Sequence, residues 1–250
     1  MQRPPGTPSK KYRLFSGTAL KHLALIAMLL DHMGKALLTD PPRIPGGFVL
    51  STVFEIPGRF AFPLFCFLLI EGYFHTHDFK RYLRRLLIFA LISEIPFNLF
   101  TSAAWCEPNA QNILFTLSLA LIAIGSVDAL RSRISWWPLP AAGIVLAGCL
   151  TASFAAADYG SYGILVPFAF YLFHDLPPVD TLTGNAILFK EPWSFPAFGP
   201  TILYNGRRGR RLKWLNYWFY PVHLLVLGLL LLWFFNRAIF IPSFIQPRIK

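Results

Sequence analysis

Hydrophobic residues in this chain run in long unbroken stretches instead of alternating with polar ones, and each stretch ends at proline, glycine or charge. The stretches lie near Leu23–Leu38, Gly58–Phe74, Leu83–Phe100, Ile113–Leu130, Trp136–Phe154, Gly160–Phe173 and Trp214–Phe235. A helix of about 20 apolar residues crosses a bilayer, so the pattern predicts an all-α fold, a polytopic transmembrane helical bundle of about seven to nine spans. Residues 1–19 read as a basic cytoplasmic segment, 20–236 as the transmembrane domain and 237–250 as a tail.

One stretch breaks the pattern. His174 to Tyr204 is interrupted by Pro192, Pro196 and Pro200, and even if wholly helical it would be about 45 Å long, short for two complete crossings. A single crossing would put the basic "RRGRRLK" outside, against the positive-inside bias. A re-entrant or broken pair of short segments is expected there, with a surface-lying segment as the alternative. Non-helical backbone survives at membrane depth only where protein or a water-filled cavity satisfies it, so this region should border the functional cavity.

Composition agrees with a membrane solvent. The chain is 55% hydrophobic, 16% aromatic and only 14% charged, with a mean hydropathy of +0.50. Its net charge of +11 comes from 23 Lys and Arg against 12 Asp and Glu. Those cations sit in short clusters between apolar runs, a pattern that sets topology and argues against a nucleic-acid partner. "SKKYRLF", "HDFKRYLRRL" and "LRSR" fall on alternate connections and predict a cytoplasmic amino terminus, while "TSAAWCEPN" and "AAADYG" suit the outer face. Cys66, Cys106 and Cys149 are scattered and form neither a metal motif nor a disulfide framework. The start "MQRPPGTPSKKYRLFS" leads to no small-residue cleavage site, so no cleavable signal peptide is expected.

Against this background the ionisable residues inside the spans stand out, because a charge at mid-bilayer costs roughly 2.5 kcal/mol or more. Lys21 precedes His32 by eleven positions, almost three whole turns, so the two share a helix face about 16 Å apart along the axis. A neutral histidine at that depth suits a proton acceptor, and a buried carboxylate could orient it and hold the charge it gains. Asp31, Glu94 and Glu71 are the candidate carboxylates, with Asp31 preferred and Glu94 next. "SEIPFNLF" puts Glu94 and Asn98 one turn apart around Pro96, and "FYPVHLL" sets Tyr220 and His223 around Pro221. Kinks of this kind free backbone acceptors and line cavities. Arg59 is a further cavity candidate or an interfacial anchor. "YNGRRGRRLKW" offers Asn205, Arg207, Arg208, Arg210 and Arg211 to an anion such as a phosphorylated cytoplasmic ligand, or equally to anionic lipid headgroups. It is no Walker-type loop.

"ALIAMLLDHMG", "GRFAFPLFCFLLIEGYFHT", "RRLLIFALISEIPFN", "NILFTL", "ADYGSYGIL", "LYNGRRG" and "FYPVHLL" occur in an order and spacing that resembles the TraX family, over about Leu20 to Leu231. That family is named for the conjugation protein that acetylates the amino terminus of F-type pilin, and it is similar to wider membrane acyltransferases in which a basic or polar residue stands ten intervening positions before a catalytic histidine. Lys21 and His32 match that spacing. The departure is 174–204, where the family usually has more apolar sequence.

The resemblance implies an acyl-CoA-dependent acetyltransferase of the bacterial inner membrane. His32 would be its general base or acyl relay, acetyl-CoA would enter from the cytoplasm near Lys21 and the arginine loop, and no metal would be needed. Asn98, Tyr159, Asn205 and Tyr220 are candidate oxyanion donors, and the acceptor would be an amine or hydroxyl on a protein or glycan. A proton-coupled transporter would use similar buried groups, but the spans show no internal repeat. A non-catalytic assembly factor of an envelope or conjugation machine is the third reading.

Overall fold

The computed structural model describes residues 14–36, 47–176, 178–209 and 213–234. Among them every regular element is helical: α1 (Gly17–Gly34), α2 (Gly47–Gly58), α3 (Ala61–Phe74), α4 (Phe79–Ser102), α5 (Ile113–Arg131), α6 (Pro138–Phe154), α7 (Tyr162–Leu172), α8 (Val179–Ile187), a 3-10 turn (Pro192–Ala197), α9 (Phe198–Ile202) and α10 (Lys213–Phe234). The starts follow capping chemistry. Ser16, Asp78 and Asn112 each accept a hydrogen bond from a first-turn amide of α1, α4 and α5, relieving amides that have no partner inside the helix. Ala103, at φ 51°, closes α4 in the left-handed conformation.

The helices run between two ends. At the end where α1 begins, the Tyr73 and Tyr171 hydroxyls donate to Asp128 at 2.8 and 2.7 Å, joining α3, α7 and α5. At the end where α1 finishes, Asp158 N–H donates to the Gln111 carbonyl at 3.0 Å, tying the α6–α7 turn to the α4–α5 turn. The main core packs Leu20, Leu64, Ile70, Ile124, Val166 and Phe170 from α1, α3, α5 and α7. A second core of Leu25, Met28, Phe100, Tyr220, Leu224 and Leu231 joins α1 to α4 and α10.

Residues 174–204 form a short hairpin. Its base is closed where the Thr181 and Thr201 hydroxyls lie 3.4 Å apart, and its tip carries Glu191 to Arg59, 3.3 Å away at the start of α3. Phe198 and Leu188 of the hairpin are buried in the main core. At Gly184 a side chain would meet Phe198 at 3.0 Å, so the hairpin packs closely only because that residue is glycine.

The outer surface is apolar, with Leu91, Leu139, Phe154 and Trp233 between 66% and 87% exposed. Water would penalise so many uncovered large apolar groups, whereas lipid accepts them. Among the described residues, Val53–Phe74 and Ile113–Arg131 are long and apolar enough to cross a membrane, and 138–154, 162–172 and 217–233 are apolar but shorter. The length of α1 and α4 is offset by polar residues: Lys21, His22, Asp31 and His32 in α1, and the basic start of α4. By length and apolarity two helices among the described residues suffice to cross a membrane, fewer than the seven to nine spans the sequence pattern predicts.

Candidate active site

Two histidines from distant parts of the chain meet where α1 packs against α10. His32 Nδ1 and His223 Nε2 are 2.8 Å apart, with the two rings parallel within 6°. The second core holds the pair in place: Phe100 lies 5.0 Å from His32 and Phe219 5.0 Å from His223, centroid to centroid. His223 Nδ1 is in turn 2.7 Å from the Phe219 carbonyl one turn back, next to Pro221. The His32 side chain keeps 17% of its surface accessible.

Asp31 adjoins the pair but is engaged elsewhere. Its Oδ2 accepts from Lys35 Nζ at 2.7 Å, one turn on, and is 3.9 Å from His32 Nε2, beyond hydrogen-bond distance. Gly58 lets the end of α2 lie directly against Asp31, since a Cβ there would clash with the Asp31 side chain. The turn carrying Asp158 and Tyr159 faces the same group of charges, with Asp31, Lys35 and Arg59 all in electrostatic reach. Burial raises the Asp158 pKa, and Lys35 opposes that rise. Tyr159 takes a left-handed backbone at φ 63° and stacks on Phe62 at 3.8 Å, strain of a kind that surrounding structure must impose. Tyr220 is buried, with its hydroxyl at the backbone of Ile113.

Glu94 does not reach His32. Asn112 donates to it while also donating to the Ala90 carbonyl at 2.9 Å, and Asn98 lies in reach of the same carboxylate. Glu71 lies at the other end of the bundle, where His174 Nε2 donates to its Oε1 at 2.9 Å and Tyr204 faces it.

That other end also holds the arginine loop. Gly17 and Thr18 amides donate to the Arg207 and Arg208 carbonyls at 2.9 and 3.1 Å, and Asn205 N–H donates to Phe15, so the loop is laid against the start of α1. Lys21 lies 5.7 Å over the Tyr217 ring and within electrostatic reach of Arg208. Arg207 and Arg208 are exposed, and Asn205 Oδ1 accepts from the Arg207 amide at 2.8 Å, capping the loop. Arg210 and Arg211 lie outside the described residues. Among the described residues no three His, Cys, Asp or Glu side chains are grouped to hold a metal. Two grooves of about 560 and 530 Å³ lie away from the histidines, one on the hairpin around Trp193 and one on α10 around Trp233.

Lys35, Asp158 and Asn112 take part although the apolar and charge pattern does not single them out. Lys35 had a usable signal, since it stands four positions after Asp31 and i,i+4 residues face each other on a helix. Asn112 had another, standing as an amide just ahead of an apolar run. The approach of Asp158 is a tertiary fact.

Fold and site together define an all-helical membrane protein with a paired-histidine centre inside its bundle and a basic loop at one end. The chain belongs to the TraX family, whose description, TraX protein, matches residues 16–231. It is also 30% identical over 246 residues to a protein of Dichelobacter nodosus named probable fimbrial assembly protein FimC, serogroup H1, an alignment covering 85% of this chain and 94% of that one. No solved structure matches it.

Proposed function

We propose that this protein is a transmembrane acyltransferase that moves an acetyl group from acetyl-CoA to an amine or hydroxyl in the assembly of a pilus or fimbria. One observation carries the reading: a partly accessible imidazole, His32, is held by a second imidazole in the interior of the bundle, on the same helix as Lys21. In the reaction, His32 takes the acceptor's proton as the acceptor attacks the thioester carbonyl. The carbon–sulfur bond breaks, and coenzyme A leaves with the proton returned to its sulfur. Lys21, Arg207 and Arg208 suit the donor's phosphates, and about 16 Å of helix separates Lys21 from His32, a span for the extended pantetheine arm.

In this reading α1, α3 to α7 and α10 cross the bacterial inner membrane and the 174–204 hairpin is re-entrant. The end bearing Lys80, Arg81, Arg84, Arg85, Arg131 and the arginine loop then faces the cytoplasm, as positive-inside bias favours. Donor and acceptor would approach His32 from opposite sides.

The test uses purified full-length protein in lipid nanodiscs, acetyl-CoA as donor and a short peptide with a free amino terminus as acceptor. His32→Ala should lose about 10²–10⁴-fold in transfer while binding acetyl-CoA like the wild type. Unchanged transfer would overturn the role of His32. Failure of the wild type to bind acetyl-CoA would favour the second reading, a non-catalytic assembly factor, which the relative's name supports.

A further inference from the structure

We propose that His223 is the positioning residue for His32: it decides which His32 nitrogen carries the proton and so makes Nε2 the atom that receives the acceptor's proton. The assignment of the receiving atom rests on His32 being the base; the assignment of the proton does not.

The protons are set from a backbone carbonyl outward. Oxygen of Phe219 can only accept, so His223 Nδ1, 2.7 Å away, must be the protonated donor. A neutral His223 then has a bare Nε2, which can only accept. His32 Nδ1, 2.8 Å from it, must therefore carry a hydrogen. In neutral His32 this leaves the lone pair on Nε2, which lies 3.9 Å from Asp31 Oδ2 and has no hydrogen-bond partner among the described residues. When Nε2 takes a proton, Nδ1–H keeps its bond to His223, so the ring need not turn. The resulting imidazolium faces the Asp31 carboxylate, whose charge Lys35 shares. The chain of constraint runs from the helix backbone of α10, through His223, to one nitrogen on α1. Ordinary packing would require only that the two rings touch.

Two measurements test this on the full chain in nanodiscs. The first is nitrogen NMR of protein labelled at histidine, with His32→Ala and His223→Ala used for assignment. Neutral His32 should show a protonated Nδ1 and a bare Nε2, and His223→Ala should shift it toward the other tautomer. His223→Gln, whose amide oxygen can still accept, should restore the wild-type pattern. A His32 protonated at Nε2 in the wild type, or indifferent to His223→Ala, overturns the proposal.

The second measurement is coenzyme A release from acetyl-CoA with the amino-terminal peptide. His223→Ala should lower kcat by about 100-fold with KM for acetyl-CoA unchanged. His223→Gln should recover at least about tenfold of that, and His223→Ala should add nothing in a His32→Ala background. Equal loss in the Ala and Gln variants, with both folded, would make His223 a packing residue and defeat the inference. Activity surviving in His32→Ala would defeat the base itself and leave the tautomer result standing.

Discussion

Asn112 ties α4 and α5 together with one amide. Its Oδ1 accepts from the Leu114 amide to start α5, and its Nδ2 donates both to the Ala90 carbonyl and to the Glu94 carboxylate of α4. Truncating it takes a partner from three groups at once, one buried and two part-buried. Asn112→Ala should therefore cost about 1–3 kcal/mol of stability, the penalty of a lost cap combined with unpaired buried groups. Thermal unfolding in detergent reads this out. Glu94→Gln keeps an acceptor oxygen for Asn112 and should unfold near the wild-type midpoint. A destabilisation by Glu94→Gln as large as that of Asn112→Ala would contradict this account and point to a need for the charge.

At the scale of elements, the 174–204 hairpin is latched to the bundle by His174 on Glu71. Burial works against a charge on His174, but the hydrogen bond and charge of Glu71, joined by Asp175, prevail and raise its pKa above the ordinary value of about 6.5. A pKa raised by folding means that the folded state binds the proton more tightly than the unfolded one. The stabilisation is thus complete below about pH 6.5 and is lost as pH rises through the raised value. Thermal midpoints should fall across that window in the wild type and lose this component in His174→Gln. The same slope in both proteins would show that the latch contributes nothing.

For the whole molecule the consequence is topological. The arginine loop is bonded to the start of α1, so both must lie on one side of the membrane, whichever side that is. Positive-inside bias predicts that this side is the cytoplasm. Gly209 is a poor place for a reporter cysteine, because its φ is +76° and a Cβ would press on Ser16 and Thr18. Arg207 is exposed and suits better, and Cys106, exposed at the opposite end, is a native counterpart. With Cys66 and Cys149 replaced, an impermeant thiol reagent added to spheroplasts should label Cys106. Arg207→Cys, with Cys106 also replaced, should react only in inverted vesicles. Labelling in the reverse sense would remove the loop from any cytoplasmic donor site.

Much of this architecture is a local property of the chain. Apolar run length and capping residues determine that the elements are helices and where α1, α4 and α5 begin, because those preferences act within a few residues. The Pro192–Pro200 cluster likewise rules out a long helix between His174 and Tyr204 by removing amides and clashing with carbonyls. His32 was legible as a costly group in an apolar run. Its partner was not: His223 is 191 residues away, and spacing along one helix says nothing about which other helix will face it. For the same reason spacing does not decide among Asp31, Glu94 and Glu71 as its carboxylate partner, and in the fold Lys35 holds Asp31 and Asn112 holds Glu94. The sequence by itself determined the apolar character of the chain, its helices and the placing of His32 in an apolar run, since these follow from composition and local geometry. Only tertiary packing decided that α10 meets α1, that a backbone carbonyl orients His223, and that His223 orients His32, because hydrogen bonds select among tautomers only after the helices have brought the rings together.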